Sequence, residues 1–485
     1  MATFIIGLAV LIAGGWLYGK LCDKVMKPDD RMTPAYAKED GVDFVPMKEW
    51  KNSLINLLNI AGTGPIIGPI QGILFGPIAF ILIPIGCILG GAMHDYFTGM
   101  LSMRNNGAQM PTLIRRFTNK TAYNVYIIFV CLLMVLVGAV FVYTPGDIAA
   151  SQVFGFSGAA TAVSTWVIYG VIFVYYLLAT LFPIDKIIGR IYPVFGAVLL
   201  ISAVGIFYSL FAGGYDLDNL TLSNWTGIHP DGTRLIPFFF ITVACGIVSG
   251  FHSTQTTLIA RSVKHEKQGR MVFYNMMIAE GFIAMIWAAA AMAVMNKGLA
   301  SGAAEATSVI GIVSKNMLGS IGGLIALIGV IVLPVTSGDT ALRGLRLIAA
   351  EHLNINQKSI ASRLKISIPI FIIVAALLVW VKASPGGFTI LWRYFAWSNQ
   401  TIALFAFAII AIYLRARGYR AALWMALLPG AWYAFITFTY ICGEKIGFNL
   451  PMNISYYSGA AFALAYAVMV YRHGIKTGLV EETHA

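Results

Sequence analysis

Charge is what this sequence has least of. Of its 485 residues only 11% are Asp, Glu, Lys or Arg, while 58% are hydrophobic and the mean hydropathy is +0.78. A soluble domain of this length carries more charge and fewer apolar residues, so that class is excluded. Cysteine is sparse too. Cys22, Cys87, Cys131, Cys245 and Cys442 form no pair at metal-ligand or redox spacing, so no disulfide framework, metal site or cofactor is expected. Also missing are an HExxH helix, a nucleophile elbow and a paired-aspartate motif, which argues against an intramembrane enzyme. Bases outnumber acids by 33 to 21, a formal net charge of +12. In so apolar a chain this excess follows from membrane topology rather than from a nucleic-acid partner.

What is present is a series of long apolar runs. Windows of about 20 residues give about thirteen spans of an all-α integral membrane protein. They centre on 3–19, 53–72, 77–103, 122–144, 164–182, 191–212, 235–260, 271–295, 319–342, 366–381, 388–414, 421–441 and 453–471. With the N-terminus outside and the C-terminus cytoplasmic, most of the 33 basic residues fall in inner loops. The exceptions are Arg234, Lys297, Lys315, Lys382 and Lys445 outside and Arg393 within a span. That partition is what the positive-inside rule requires. The first span reads as retained rather than as a cleaved leader, and the tail after Arg472 reads as too short for an output domain. The stretch from Gln109 to Phe117 reads as a short amphipathic segment on the inner membrane surface.

Two spans are interrupted, one at Ala61-Gly-Thr-Gly-Pro-Ile-Ile-Gly-Pro69 and the other at Ala244-Cys-Gly-Ile-Val-Ser-Gly-Phe-His252. Backbone freed in mid-membrane is tolerated only where it lines a cavity or is buried in protein. Each interruption opens a group of five spans, and an odd number inverts the second group. The expected architecture is therefore a LeuT-like five-plus-five inverted repeat with two broken helices. Its parts are 1–49 (first helix and cytoplasmic loop), 50–213 (first repeat), 234–415 (second repeat) and 416–485 (two peripheral helices and a short tail).

A half-helix that starts after such a break offers free N–H groups and its positive dipole end to an anion. Gly62, Gly64, Pro65, Gly68, Gly246, Ser249 and Gly250 are the expected frame of a substrate site, with His252 and Ser253 beside it. The competing reading is that these glycines only let helices pack closely and the prolines only kink them.

The run Arg31-Met-Thr-Pro-Ala, then Asp40-Gly-Val-Asp-Phe-Val-Pro46, the first interrupted segment, and Pro237-Phe-Phe-Phe-Ile-Thr-Val-Ala-Cys-Gly-Ile-Val-Ser-Gly-Phe-His252 closely resemble the carbon starvation protein A (CstA) family. The resemblance continues through Asp95, Glu280, Gly338 and Ser398-Asn-Gln400, from about residue 20 to about residue 415. It implies uptake of small nutrients, described as peptides or pyruvate, across the bacterial inner membrane when preferred carbon is scarce. The well-known members are considerably longer, which leaves the substrate open. A sensor that keeps the transporter fold and signals through a separate partner is the alternative.

Polar groups inside spans cost about 2.5–3.5 kcal/mol each at a helix centre and usually face an interior path. His94, Asp95, Glu280 and Asp339 are the expected proton-coupling residues, against the alternative of a static hydrogen-bonded pair. Thr336 and Ser337 are sodium-site candidates if they lie beside the first break, although such hydroxyls more often bond their own backbone. Asn399 and Gln400 either glue helices or line the path. The expected partners are a small-molecule substrate and the lipid bilayer. The coupling ion, proton or sodium, stays open.

Overall fold

The computed structural model describes residues 1–473 other than 42, 182–184, 303, 304, 354 and 358, and no side chains at 185–193, 351 and 352. The expected short tail lies outside the described residues. Apart from one β-bridge, Met47 to Val263, the described secondary structure is helical. We number the helices α1 (Ala2–Met26), α2 (Glu49–Ile60), α3 (Gly64–Gly72), α4 (Ala79–Arg104), α5 (Met110–Phe117), α6 (Lys120–Val153), α7 (Val163–Leu181) and α8 (Asp185–Ala212) in the first half. The second half holds α9 (Leu235–Thr242), α10 (Ala244–Ile247), α11 (Gly250–Ile259), α12 (Glu266–Asn296), α13 (Ala306–His352), α14 (Ile360–Ala383), α15 (Gly387–Ala416), α16 (Trp424–Gly443) and α17 (Met452–Arg472).

Among the described residues eleven helices are long and apolar enough to cross a membrane, or up to twelve if α2 and α3, bent by 49° at their junction, count as one span. The expected span at 235–260 is cut into α9, α10 and α11, none of which is long enough alone to cross a membrane. Both interruptions have local causes. At the first, Ala61 leaves the helix with φ −82° and ψ 52°, and α3 restarts with Pro65 in its first turn, where no N–H is lost. At the second, Val248 and Ser249 are fully extended, with φ/ψ of −147°/129° and −132°/120°.

The chain forms two compact units. The first comprises Met1–Phe129, Asn219–Met285 and 399–485, and the second Val130–Asp218 and Ile286–Ser398. In the first unit α3 packs on α9 and α10 through a face of glycines. A Cβ on Gly64 would collide with the Cβ of Cys245, and one on Gly68 would stand 3.0 Å from the carbonyl oxygen of Thr242. This close approach of two backbones is what glycine permits and larger residues forbid. Helix α5 buries Met110, Leu113, Ile114 and Phe117 and turns Arg115 and Arg116 outward, the expected amphipathic pattern. In the second unit α8 packs along α13, whose 47 residues are interrupted by the positive φ of Gly319, and α7 packs on α13 and α14.

Candidate coupling and substrate site

The first unit gathers four titratable side chains from three helices into one buried chain. His94 and Asp95 come from α4, directly after a π-helical stretch at Cys87–Ala92; His252 comes from the first turn of α11 and Glu280 from α12. All four are at most 1% exposed. A π-bulge changes which residues face inward on a helix and recurs at functional sites. Here it precedes the only adjacent His-Asp pair of the sequence.

Asp95 joins the two histidines. Its Oδ1 lies 2.8 Å from His94 Nδ1 and its Oδ2 lies 3.0 Å from His252 Nδ1. An ionised carboxylate only accepts hydrogen bonds, so both imidazoles then carry a proton on Nδ1. The Nε2 of His252 is thereby left facing Glu280, with Oε2 at 3.5 Å. Neither oxygen of Glu280 has a hydrogen-bond partner among the described residues, and neither does His94 Nε2, whose ring meets Phe407 edge-on at 5.3 Å between centroids. Beside the chain, Thr98 Oγ1 and Thr256 Oγ1 share a hydrogen bond of 3.0 Å between α4 and α11. The arrangement can therefore hold protons at several positions and pass one between Glu280 and Asp95 through the two nitrogens of His252.

At the second interruption Asn399 fills the gap. Its Oδ1 accepts from the Phe251 N–H at 2.8 Å and from Ser249 Oγ at 3.2 Å, while its Nδ2 lies 2.9 Å from Ser249 Oγ and 3.4 Å from Cys245 Sγ. Gln400 donates to the Phe240 carbonyl at 2.6 Å and keeps a buried, unpartnered Oε1. Two adjacent amides thus serve the backbone on either side of α10. Ser253 Oγ donates to the Gly250 carbonyl. The neighbouring glycines have packing partners: Gly246 faces Ala284, where a Cβ would stand 2.9 Å from the alanine methyl, and Gly250 faces Ile402 and the Asn399 carbonyl. At the first interruption Gly62 donates its N–H to the Ile60 carbonyl, and the buried Thr63 Oγ1, two positions before Pro65, has no hydrogen-bond partner among the described residues.

Thr336, Ser337 and Asp339 belong to the second unit. Thr336 Oγ1 donates to the Leu333 carbonyl of its own helix, and Asp339 Oδ2 accepts from Tyr175 OH at 2.7 Å. Among the described residues no group of three His, Cys, Asp or Glu side chains has metal-holding geometry.

The sequence matches the profile of the family described as Carbon starvation protein CstA over residues 1–182, 146–324 and 296–440. The chain belongs to the CstA family. Among its relatives is a Haemophilus influenzae protein described as an uncharacterized membrane protein, 42% identical over 335 residues, which are 59% of this chain and 89% of that one. The peptide transporter CstA of Escherichia coli is 24% identical over 548 residues, 84% of this chain and 76% of that one. The pyruvate/proton symporter BtsT of the same organism is 26% identical over 340 residues, 58% of this chain and 47% of that one. The aligned region is thus about half the length of that symporter. Two variants of the Eremococcus coleocola manganese transporter share the fold, with TM-scores of 0.57 and 0.56 at 12% identity, covering 88% of this chain and 96% of theirs. The chain is thus a multi-pass membrane protein of the CstA family, and the relatives that carry a functional name are transporters.

Two buried ion pairs escaped the sequence reading. Arg104 donates from Nε and Nη2 to both oxygens of Glu266, each at 2.8 Å, in the first unit. In the second, Lys382 Nζ lies 2.6 Å from Asp147 Oδ1, and both side chains are at most 7% exposed. Arg104, Glu266 and Lys382 each lie at a span end, where a charge reads as ordinary flanking sequence. Asp147 follows Pro145-Gly146, which reads as a turn.

Proposed function

We propose that this protein is a secondary active transporter that imports a small carboxylate such as pyruvate, or a short peptide, across the bacterial inner membrane by proton-coupled alternating access. The N-terminus lies outside and the C-terminus in the cytoplasm. Import serves the cell when preferred carbon is scarce. The observation that carries the coupling is the buried chain from Glu280 through His252 and Asp95 to His94, with unpartnered atoms at both ends. A purely structural polar network in so dry a place would have its hydrogen bonds complete. A network that loads and releases a proton needs a group whose partner changes.

The substrate lies at the two interruptions, near Gly62, Gly64, Pro65, Gly68, Gly246, Ser249, Gly250, His252 and Ser253, with Asn399 and Gln400 exchanging backbone partners for substrate as the helices move. The inverted repeat finds support in the two units. The first two segments of each five contribute to the first unit and the third and fourth to the second, whereas of the fifth segments α8 lies in the second unit and most of α15 in the first. Parts 50–213 and 234–415 are then the two repeats, preceded by 1–49 and followed by 416–485. Sodium coupling through Thr336 and Ser337 is the weaker reading, because the Thr336 hydroxyl already bonds its own helix, and Asp339 stands apart from the proton chain as the acceptor of the Tyr175 hydroxyl.

The test is reconstitution in liposomes, with labelled pyruvate uptake measured under separate proton and sodium gradients and with unlabelled dipeptides and amino acids as competitors. Accumulation that collapses with the proton gradient alone is expected. No uptake and no competition under either gradient would overturn the assignment and favour a sensor.

A further inference from the structure

At one end of the second unit, α6, α7, α13 and α14 converge on a buried ammonium group. Lys382, at the C-terminal end of α14, is 6% exposed at its side chain and reaches the Asp147 carboxylate on α6 at 2.6 Å. Its Nζ also sits 4.9 Å from the ring centroid of Tyr143 and 5.9 Å from that of Tyr169. Thr307 donates to Asp147 Oδ2 at 3.1 Å, and Tyr169 OH lies 3.5 Å from Oδ1. Tyr143 OH donates to Glu305 Oε2 at 3.3 Å. Glu305 is exposed, so the cluster reaches the surface on its side.

Three features set this cluster apart from a simple tie between helices. An ammonium has three hydrogens to donate, and Lys382 uses one on a carboxylate while ring faces stand near it. The helix carrying Asp147 passes into a π-helical stretch, Ala149–Val153, immediately afterwards. The cluster holds two carboxyls and one base, so its charges do not balance without a proton.

We propose that Lys382 is a carboxylate-binding residue: Asp147 is the resident occupant of its ammonium group, and the carboxylate of a transported solute takes that place. The proposal rests on the transport reading above and adds a binding site outside the two interruptions. Exchange of one carboxylate for another keeps the buried ammonium paired throughout, and the proton taken up with the ligand compensates the carboxylate that is displaced, so no uncompensated charge is left buried. A ligand carboxylate brings the count to three acid groups against one base, so binding draws one proton from water into the cluster. Glu305, held by the Tyr143 hydroxyl at the exposed edge of the cluster, is where that proton can enter from water. No bond other than that to the proton is made or broken.

The test is calorimetric titration of the full-length protein in nanodiscs with pyruvate and with dialanine, each in two buffers of different ionisation enthalpy. The wild type should bind with uptake of a proton. Asp147→Asn frees Lys382 of its competitor and should bind several-fold more tightly. The Asp147→Asn/Lys382→Met pair leaves no buried unpaired charge, so it should fold, and it should bind about tenfold or more weakly. Wild-type affinity in the double variant would overturn the proposal while leaving the transport reading intact. Absence of binding by the wild type, together with absence of uptake in liposomes, would overturn both.

Discussion

Asn399 and Ser249 hold each other across the break in the second discontinuous segment, with Asn399 Nδ2 2.9 Å from Ser249 Oγ and Asn399 Oδ1 accepting from the Phe251 N–H. The amide caps the start of α11. Replacing it with leucine strands the part-buried Phe251 N–H and the buried Ser249 hydroxyl, at up to about 1–3 kcal/mol for each unsatisfied group. Asn399→Leu should therefore lower the melting temperature in detergent clearly. Asn399→Asp keeps the acceptor for the Phe251 N–H and should lower it less. Equal melting temperatures for the two variants would argue that the amide does not cap the helix.

Glu280 and His252 define the second prediction. Without an ionisable carboxyl at 280, a carrier can still exchange solute for solute but cannot use a proton gradient. Glu280→Gln should abolish accumulation driven by a proton gradient while preserving counterflow of labelled against unlabelled substrate. His252→Ala removes the link to Asp95 and should do the same. A Glu280→Gln protein that accumulates substrate as the wild type does would remove Glu280 from the coupling chain.

The two breaks were legible in the sequence because glycine and proline act on the backbone locally, so their effect needs no knowledge of what packs alongside. His94, Asp95 and Glu280 were legible for a different reason: polar groups stand out in apolar runs. Their assembly with His252 could not be read, since Asp95 and His252 are 157 positions apart and only packing sets their distance. Arg104 with Glu266 and Asp147 with Lys382 were missed because charges at span ends have an ordinary topological explanation. The role of Gly64 was left between binding and packing, and only the position of Cys245 gives it a neighbour.

That neighbour supplies the third prediction. A methyl group at residue 64 collides with the Cβ of Cys245, and overpacking of this kind costs about 1–3 kcal/mol. Gly64→Ala should reduce both melting temperature and uptake, and Cys245→Gly in the same protein should restore the melting temperature. If uptake returns as well, residue 64 acts through packing. If stability returns and uptake does not, the backbone at Gly64 meets the substrate directly.

The last prediction concerns how the segment between α1 and α2 is fastened. Glu266, 1% exposed, accepts twice from Arg104 at 2.8 Å, accepts the Asp29 N–H at 3.2 Å and lies 3.5 Å from Arg31 Nε. Arg104 in turn donates to the Lys27 carbonyl at 2.9 Å, and further along Thr33 Oγ1 donates to the Lys264 carbonyl at 3.2 Å. One buried carboxylate therefore gathers a guanidinium from α4 and two residues of the connecting segment. The hydrogen bonds from Arg31 also hold the Asp29 carboxyl below its ordinary range, so this pair persists to lower pH than an ordinary carboxylate would allow. Removing the charge at residue 266 leaves Arg104 buried without a counterion, and breaking a buried pair from one side costs about 3–5 kcal/mol. Glu266→Gln should therefore expose the segment from Lys27 to Met47 to limited proteolysis at protease concentrations that leave the wild type intact. Substituting apolar residues at both 104 and 266 removes the unpaired charge and should restore much of the melting temperature. It cannot restore the contacts to Asp29 and Arg31, so the segment should stay open to protease. Protection equal to the wild type in that double variant would show that Thr33 and the Met47–Val263 bridge fasten the segment without help from the ion pair.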